Sequence, residues 1–233
     1  MIELGDLQEA EKSLRKAIEI NPKFAESYFN LSIVELLKGN YQSGLENYEF
    51  RFKKEKPSSL HGNPKIKRVK DEKLSKKEKF LVVSEQGLGD TLQFMRYVPY
   101  LRSQGIDLSF SAQEKLHTLI KASGIDQNPL TPTQANTVSK GQWIPLLSLP
   151  RYLKVSPDNP IINKPYIHST DELNQKWKDI FSKEERPIIG INWQGNPDAE
   201  KKTMLRGRSL PLETFSNLAK DNNFKFLSLQ KGF

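Results

Sequence analysis

The residues able to do chemistry concentrate at two glycine-bearing turns. The first, Glu85-Gln86-Gly87-Leu88-Gly89-Asp90, follows the apolar run Phe80-Leu81-Val82-Val83-Ser84 and precedes a helical pattern from Thr91. A glycine-rich turn between a strand and a helix gathers backbone N–H groups at a positive helix terminus, where anionic or hydroxyl-rich ligands bind. Gly87 and Gly89 fit a plain tight turn equally well. Asp90 stands at the helix start, where its carboxylate either caps the helix or faces a cleft as a base. Both roles are open at this level. The second turn, Gln194-Gly195-Asn196-Pro197, follows the run Pro187-Ile188-Ile189-Gly190-Ile191-Asn192-Trp193. Metal chemistry is not expected, because His61, His117 and His168 stand alone without ligand spacing. The absence of cysteine excludes disulfides, thiolate sites and cysteine nucleophiles, and it fits a reducing cytoplasm.

These turns need strands and helices to hold them. The 80–84 run predicts a buried parallel strand. Leu92, Met95, Val98 and Leu101 predict one helix over 91–103, and 107–111 predicts a second strand. A helix over 113–122, a strand running into a loop at 143–150 and an irregular connector at 157–165 follow. A helix over 171–181, a strand at 187–193, a helix over 212–220 and a strand at 224–229 complete the second unit. This βαβα texture implies an α/β fold with a doubly wound sheet, and its recurrence implies two Rossmann-like units with a ligand cleft between them.

Before residue 50 the texture is helical. Gly5 and Gly39 lie 34 residues apart, and in that register Ala10 aligns with Gly44 and Leu14 with Tyr48. Tyr28, Leu31 and Ser32 give a large-large-small spacing, and Pro22 closes the preceding helix. Residues 25–48 resemble a tetratricopeptide repeat and residues 5–24 the second half of another. So short an array requires a neighbour to complete its core.

The chain has 233 residues and a net charge of +8. Residues 51–79 hold twelve basic and four acidic side chains, so this segment carries the whole surplus. Pro57, Gly62 and Pro64 mark it as a solvated basic linker. Nucleic acid is not an expected partner, since stacking aromatics are not interleaved with the lysines. No run approaches the roughly 20 apolar residues of a spanning helix, and the N-terminus does not resemble a secretory signal.

Five motifs occur in the order of a known family: Tyr48-Glu49-x-Arg51, Glu85 to Tyr97, Pro145-Leu146-Leu147-Ser148-Leu149-Pro150, Gly190 to Pro197 and Arg208-Ser209-Leu210-Pro211-Leu212. The sequence resembles bacterial tetratricopeptide proteins that carry a GT-B glycosyltransferase region, related to heptosyltransferases and more distantly to O-GlcNAc transferases. The resemblance implies helical repeats at 1–52, a linker at 53–78, a GT-B N-terminal domain at 79–170, and a linker helix with a partial C-terminal domain at 171–233. It implies metal-independent, inverting transfer from a nucleotide sugar to a glycan or protein hydroxyl. Asp90 would be the base, and Gln86, Gly87, Gly89 and Gln93 would line the acceptor cleft. Arg208 would hold the donor diphosphate, with Ser209, Trp193, Gln194, Gly195 and Asn196 around it. The nucleotide sugar is a substrate, and no cofactor is implied. The family's second domain continues to an Asp-Thr-x-x-x-His type motif, whereas this sequence ends at Phe233. A truncated donor domain, inactive by itself, is therefore expected. The alternative is a non-catalytic tetratricopeptide module that binds a protein partner.

Overall fold

The computed structural model describes residues 5–70, 73–162, 164–195, 200 and 209–230. The chain divides into two compact units, one ending at Ser169 and one beginning at Thr170.

The first unit opens with three helices, α1 (Leu7–Ile20), α2 (Ala25–Leu37) and α3 (Tyr41–Tyr48), followed by a 3₁₀ turn, Glu49–Phe52. Asp6 caps α1 by accepting from the Glu9 N–H. The small residues read from the 34-residue register lie where helices touch. Ala10 is buried, and a Cβ at Gly44 would sit 2.9 Å from Leu36 Cγ. Glu35 of α2 is 1% exposed and joins the three helices, accepting from Arg15 at 3.1 Å and from Asn47 at 2.8 Å.

Beyond the repeats come β1 (Lys67–Arg68), β2 (Lys79–Val83), α4 (Leu88–Phe94), α5 (Tyr97–Ser103) and β3 (Asp107–Ser111). They are followed by α6 (His117–Ala122), α7 (Pro132–Ala135), β4 (Gln142–Pro145) and α8 (Leu149–Tyr152). The four strands form a parallel sheet in the order β1-β4-β2-β3. Central β2 is apolar and buried from Phe80 to Val83, as a parallel strand covered on both faces must be. Phe80 and Val82 pack with Met95, Val98, Leu101, Phe110 and Ile144 in the larger core. Leu81 and Val83 point to the opposite face and meet Ala135.

Several sequence expectations change, and the loop expected after the strand near 143 is instead a 3₁₀ turn, Leu146–Ser148, running into α8. The helix expected over 91–103 is two helices broken at Met95 and Arg96. Pro99 has no N–H to reach the Met95 carbonyl, which instead accepts from the Val98 N–H at 3.0 Å. The helix expected over 113–122 begins as a 3₁₀ turn, Glu114–Leu116. The segment read as a linker contributes β1, which pairs with Gln142 and Trp143.

The second unit contains α9 (Asp171–Phe181), β5 (Ile188–Ile191) and β6 (Lys225–Ser228). Thr170 Oγ1 caps α9 by accepting from the Leu173 N–H. Strands β5 and β6 pair in parallel, and the Leu229 side chain lies over Gly190, where a Cβ would sit 2.6 Å from Leu229 Cδ1. The helix expected over 212–220 appears as two 3₁₀ turns, Leu212–Phe215 and Leu218–Lys220. Neither turn buries a residue, and without a packed apolar face a short α-helix gains little.

Candidate functional site

In open parallel sheets, ligands bind beyond the carboxyl ends of the strands. Strand β2 ends there in the turn Ser84 to Asp90. Gln86 adopts φ +60°, a left-handed conformation costly for a residue with a Cβ. Three hydrogen bonds hold it. Its N–H donates to Ser59 O at 3.0 Å, and its side-chain amide donates to Tyr48 Oη at 2.9 Å. Its carbonyl accepts from His61 Nε2 at 2.7 Å, which makes Nε2 the protonated ring nitrogen. Beneath the turn, Ser84 Oγ is buried without a hydrogen-bond partner among the described residues.

The structure gives Asp90 a capping role. Its Oδ2 accepts from the Gly87 N–H at 2.9 Å, closing the first turn of α4. Gly87 and Gly89 are exposed, and a Cβ at Gly89 would meet nothing within 4 Å. Gln93 is exposed on the same short helix. Gln113, expected as a helix start and not as a site residue, supports the turn by accepting from Thr91 Oγ1 at 2.9 Å.

Directly before Gln86 stands Glu85, 0% exposed and matched by Arg51, also 0% exposed. Arg51 Nε and one terminal nitrogen donate to the two Glu85 oxygens at 2.9 and 2.8 Å, a bidentate fork. The same guanidinium donates to Tyr48 O, Glu49 Oε1 and Ser148 Oγ. Glu85 accepts further from the Leu147 N–H, and Glu49 from Ser148 Oγ and Arg68. Burial pushes the Glu49 carboxyl upward, but the Arg51 charge, the Ser148 hydroxyl and Arg68 outweigh it and hold it below its ordinary value. Burial likewise works against the Arg51 charge, and Glu85 and Glu49 reverse that effect and raise its pKa. Three motifs far apart in sequence thus meet in one buried cluster.

Residues 13–46 match the tetratricopeptide repeat family. The match spans the later part of α1, all of α2 and most of α3, and it ends just before Tyr48 and the 3₁₀ turn that carries Arg51. A tetratricopeptide repeat is a scaffold for protein partners. No curated protein and no solved structure matches the chain.

In the second unit the loop after β5 gathers four expected residues. Leu210 N–H donates to Trp193 O at 2.9 Å, and Gly195 N–H donates to Ser209 Oγ at 2.9 Å. Gln194 N–H donates to Gln230 Oε1 at 2.9 Å. Ser209 Oγ also donates to Glu200 at 2.5 Å, a contact the sequence did not announce. Arg208 and Asn196 lie outside the described residues.

A separate cleft of about 450 Å³ lies on the first unit, lined by Gln42 and Leu45 of α3 with Tyr152, Lys154 and Val155. The Glu46–Arg151 ion pair, 2.6 Å long, spans its walls. None of the expected site residues lines it. Among the described residues there is no group of three or more His, Asp or Glu suited to a metal, and no helix is long and apolar enough to cross a membrane.

Proposed function

We propose that this chain belongs to a sugar-transfer protein whose tetratricopeptide helices bring a protein acceptor to an α/β unit. The observation that carries the reading is the Gln86 turn, which holds an acidic side chain at the carboxyl edge of a parallel sheet in a conformation that surrounding contacts must enforce. The motif order around it supports the same class. In this reaction Asp90 takes the proton of an acceptor hydroxyl through Oδ1, since Oδ2 is engaged by Gly87. The acceptor oxygen bonds to the anomeric carbon as the sugar–phosphate bond breaks, and the nucleoside diphosphate leaves with the electron pair. Arg208 neutralises the leaving diphosphate, with Ser209, Trp193, Gln194, Gly195 and Asn196 around the donor.

The test is a panel of nucleotide sugars titrated against the protein while its tryptophan fluorescence is followed (Trp143, Trp177 and Trp193 contribute), then turnover with accepted donors. Asp90→Asn retains an oxygen for the Gly87 N–H and removes the base. Turnover should fall about 10²–10⁴-fold, as for loss of a general base. Full turnover in Asp90→Asn would remove Asp90 from the chemistry. A second reading, a non-catalytic protein-interaction module, is favoured by the repeat match at 13–46. It would prevail if every donor left the fluorescence unchanged while a protein partner bound.

A further inference from the structure

We propose that the end of the tetratricopeptide helices forms part of the ligand site itself, with Tyr48 and Arg51 as positioning residues that hold the Gln86–Asp90 turn with Gln86 in its left-handed conformation. The two act from neighbouring positions at the end of the repeats on neighbouring positions at the end of β2. Tyr48 Oη accepts from the Gln86 side chain at 2.9 Å, and the Arg51 fork grips both oxygens of Glu85. Gln86 at φ +60° would relax toward negative φ if released, because L side chains disfavour that region. A short turn over the open end of the sheet cannot supply such restraint from its own contacts. Here Tyr48, Ser59 and His61 supply it from chain segments earlier in sequence. Arg51 is wholly buried with its fork saturated, so it is poised to fix a backbone rather than to touch a ligand.

This inference rests on the turn facing the ligand, as proposed above, yet its test reads the backbone and not sugar transfer. The amides of Gln86, Gly87 and Thr91 are bonded to Ser59 O, Asp90 Oδ2 and Gly87 O, so their hydrogen exchange reports the turn directly. The amides of Val98 and Leu130, bonded to Met95 O and Phe110 O, report the surrounding core. In the full chain, Tyr48→Phe should speed exchange at the three turn amides about tenfold and leave the two core amides within twofold, whereas Arg51→Lys, which breaks the buried fork, should speed the turn amides at least as much. Tyr48→Phe combined with Gln86→Gly should restore turn protection, since glycine adopts positive φ freely and leaves no amide side chain unpaired. Tyr48→Phe deletes one hydroxyl, so it decides the matter even if Arg51→Lys fails to fold. Unchanged turn exchange in Tyr48→Phe would overturn the proposal, as would equal acceleration at Val98 and Leu130 or failure of the glycine rescue.

Discussion

At the scale of single residues, the cap and the proposed base share one carboxylate, and two substitutions separate them. Asp90→Ala removes the acceptor of the Gly87 N–H and should cost about 1 kcal/mol in thermal or urea unfolding. Asp90→Asn keeps an acceptor and should stay within about 0.5 kcal/mol of the parent. Transfer should fall in both, so a rate loss in the asparagine variant without a stability loss isolates the chemical role. Arg51 makes the opposite case. Arg51→Met leaves the wholly buried Glu85 carboxyl without its fork partner, and should destabilise the first unit by about 3–5 kcal/mol. Replacing both partners by methionine should recover much of that loss, because the penalty lies mainly in the orphaned carboxyl. Either value follows from urea midpoints. The sequence placed Arg51 in a motif but not in a core. A lone arginine in a charged segment carries no mark of burial, and its partner lies 34 residues away.

Elements were legible wherever a local pattern decides the outcome. The strands expected at 80–84 and 107–111 and the helix expected over 171–181 follow from local pattern, and the structure has them at Lys79–Val83, Asp107–Ser111 and Asp171–Phe181. Element ends and breaks were less so, because Pro99 acts on a carbonyl four residues back. Strand β1 was hidden altogether, as two basic residues within a charged run become a strand only when β4 offers an edge. The glycines show how tightly the elements fit. Gly44→Val would drive side-chain carbon into Leu36 at the α2–α3 crossing. Overpacking there should cost about 2 kcal/mol, read as a lower melting temperature by circular dichroism. Gly141 is more demanding. It has φ +92°, and a Cβ would lie 2.3 Å from the Lys79 carbonyl oxygen, a backbone atom that cannot yield without disturbing β2. Gly141→Ala should therefore cost more than Gly44→Val, exceeding about 3 kcal/mol, and should expose the amides that pair β4 with β2.

For the whole molecule, the basic surplus concentrated at residues 51–79 suggested a hinge between repeats and sheet. The structure instead joins them there: Arg51 is buried with Glu85 and Ser148, and the half-buried Arg68 joins the cluster through Glu49. The cluster, with Tyr41 and Tyr48 packed on the apolar core of the sheet, ties the end of the repeat helices to the sheet. Repeats and sheet should accordingly unfold together, and acid should expose the linkage. Glu49 has a folded-state pKa below the ordinary value of 4.5 that it regains on unfolding. Its ionised form therefore contributes stability that is fully present above that value and is lost as pH falls below 4.5 through the folded pKa. Glu49→Gln removes this proton-linked share while keeping an acceptor for Arg51. Urea midpoints at pH 7 and pH 3 should fall more steeply with acid in the parent than in Glu49→Gln, whose stability at pH 7 should already be lower. Hydrogen exchange of the repeat amides and the β2–β3 amides should lose protection over the same pH interval. Equal acid sensitivity in the two proteins, or repeats that open well before the sheet, would mean that the cluster does not couple them.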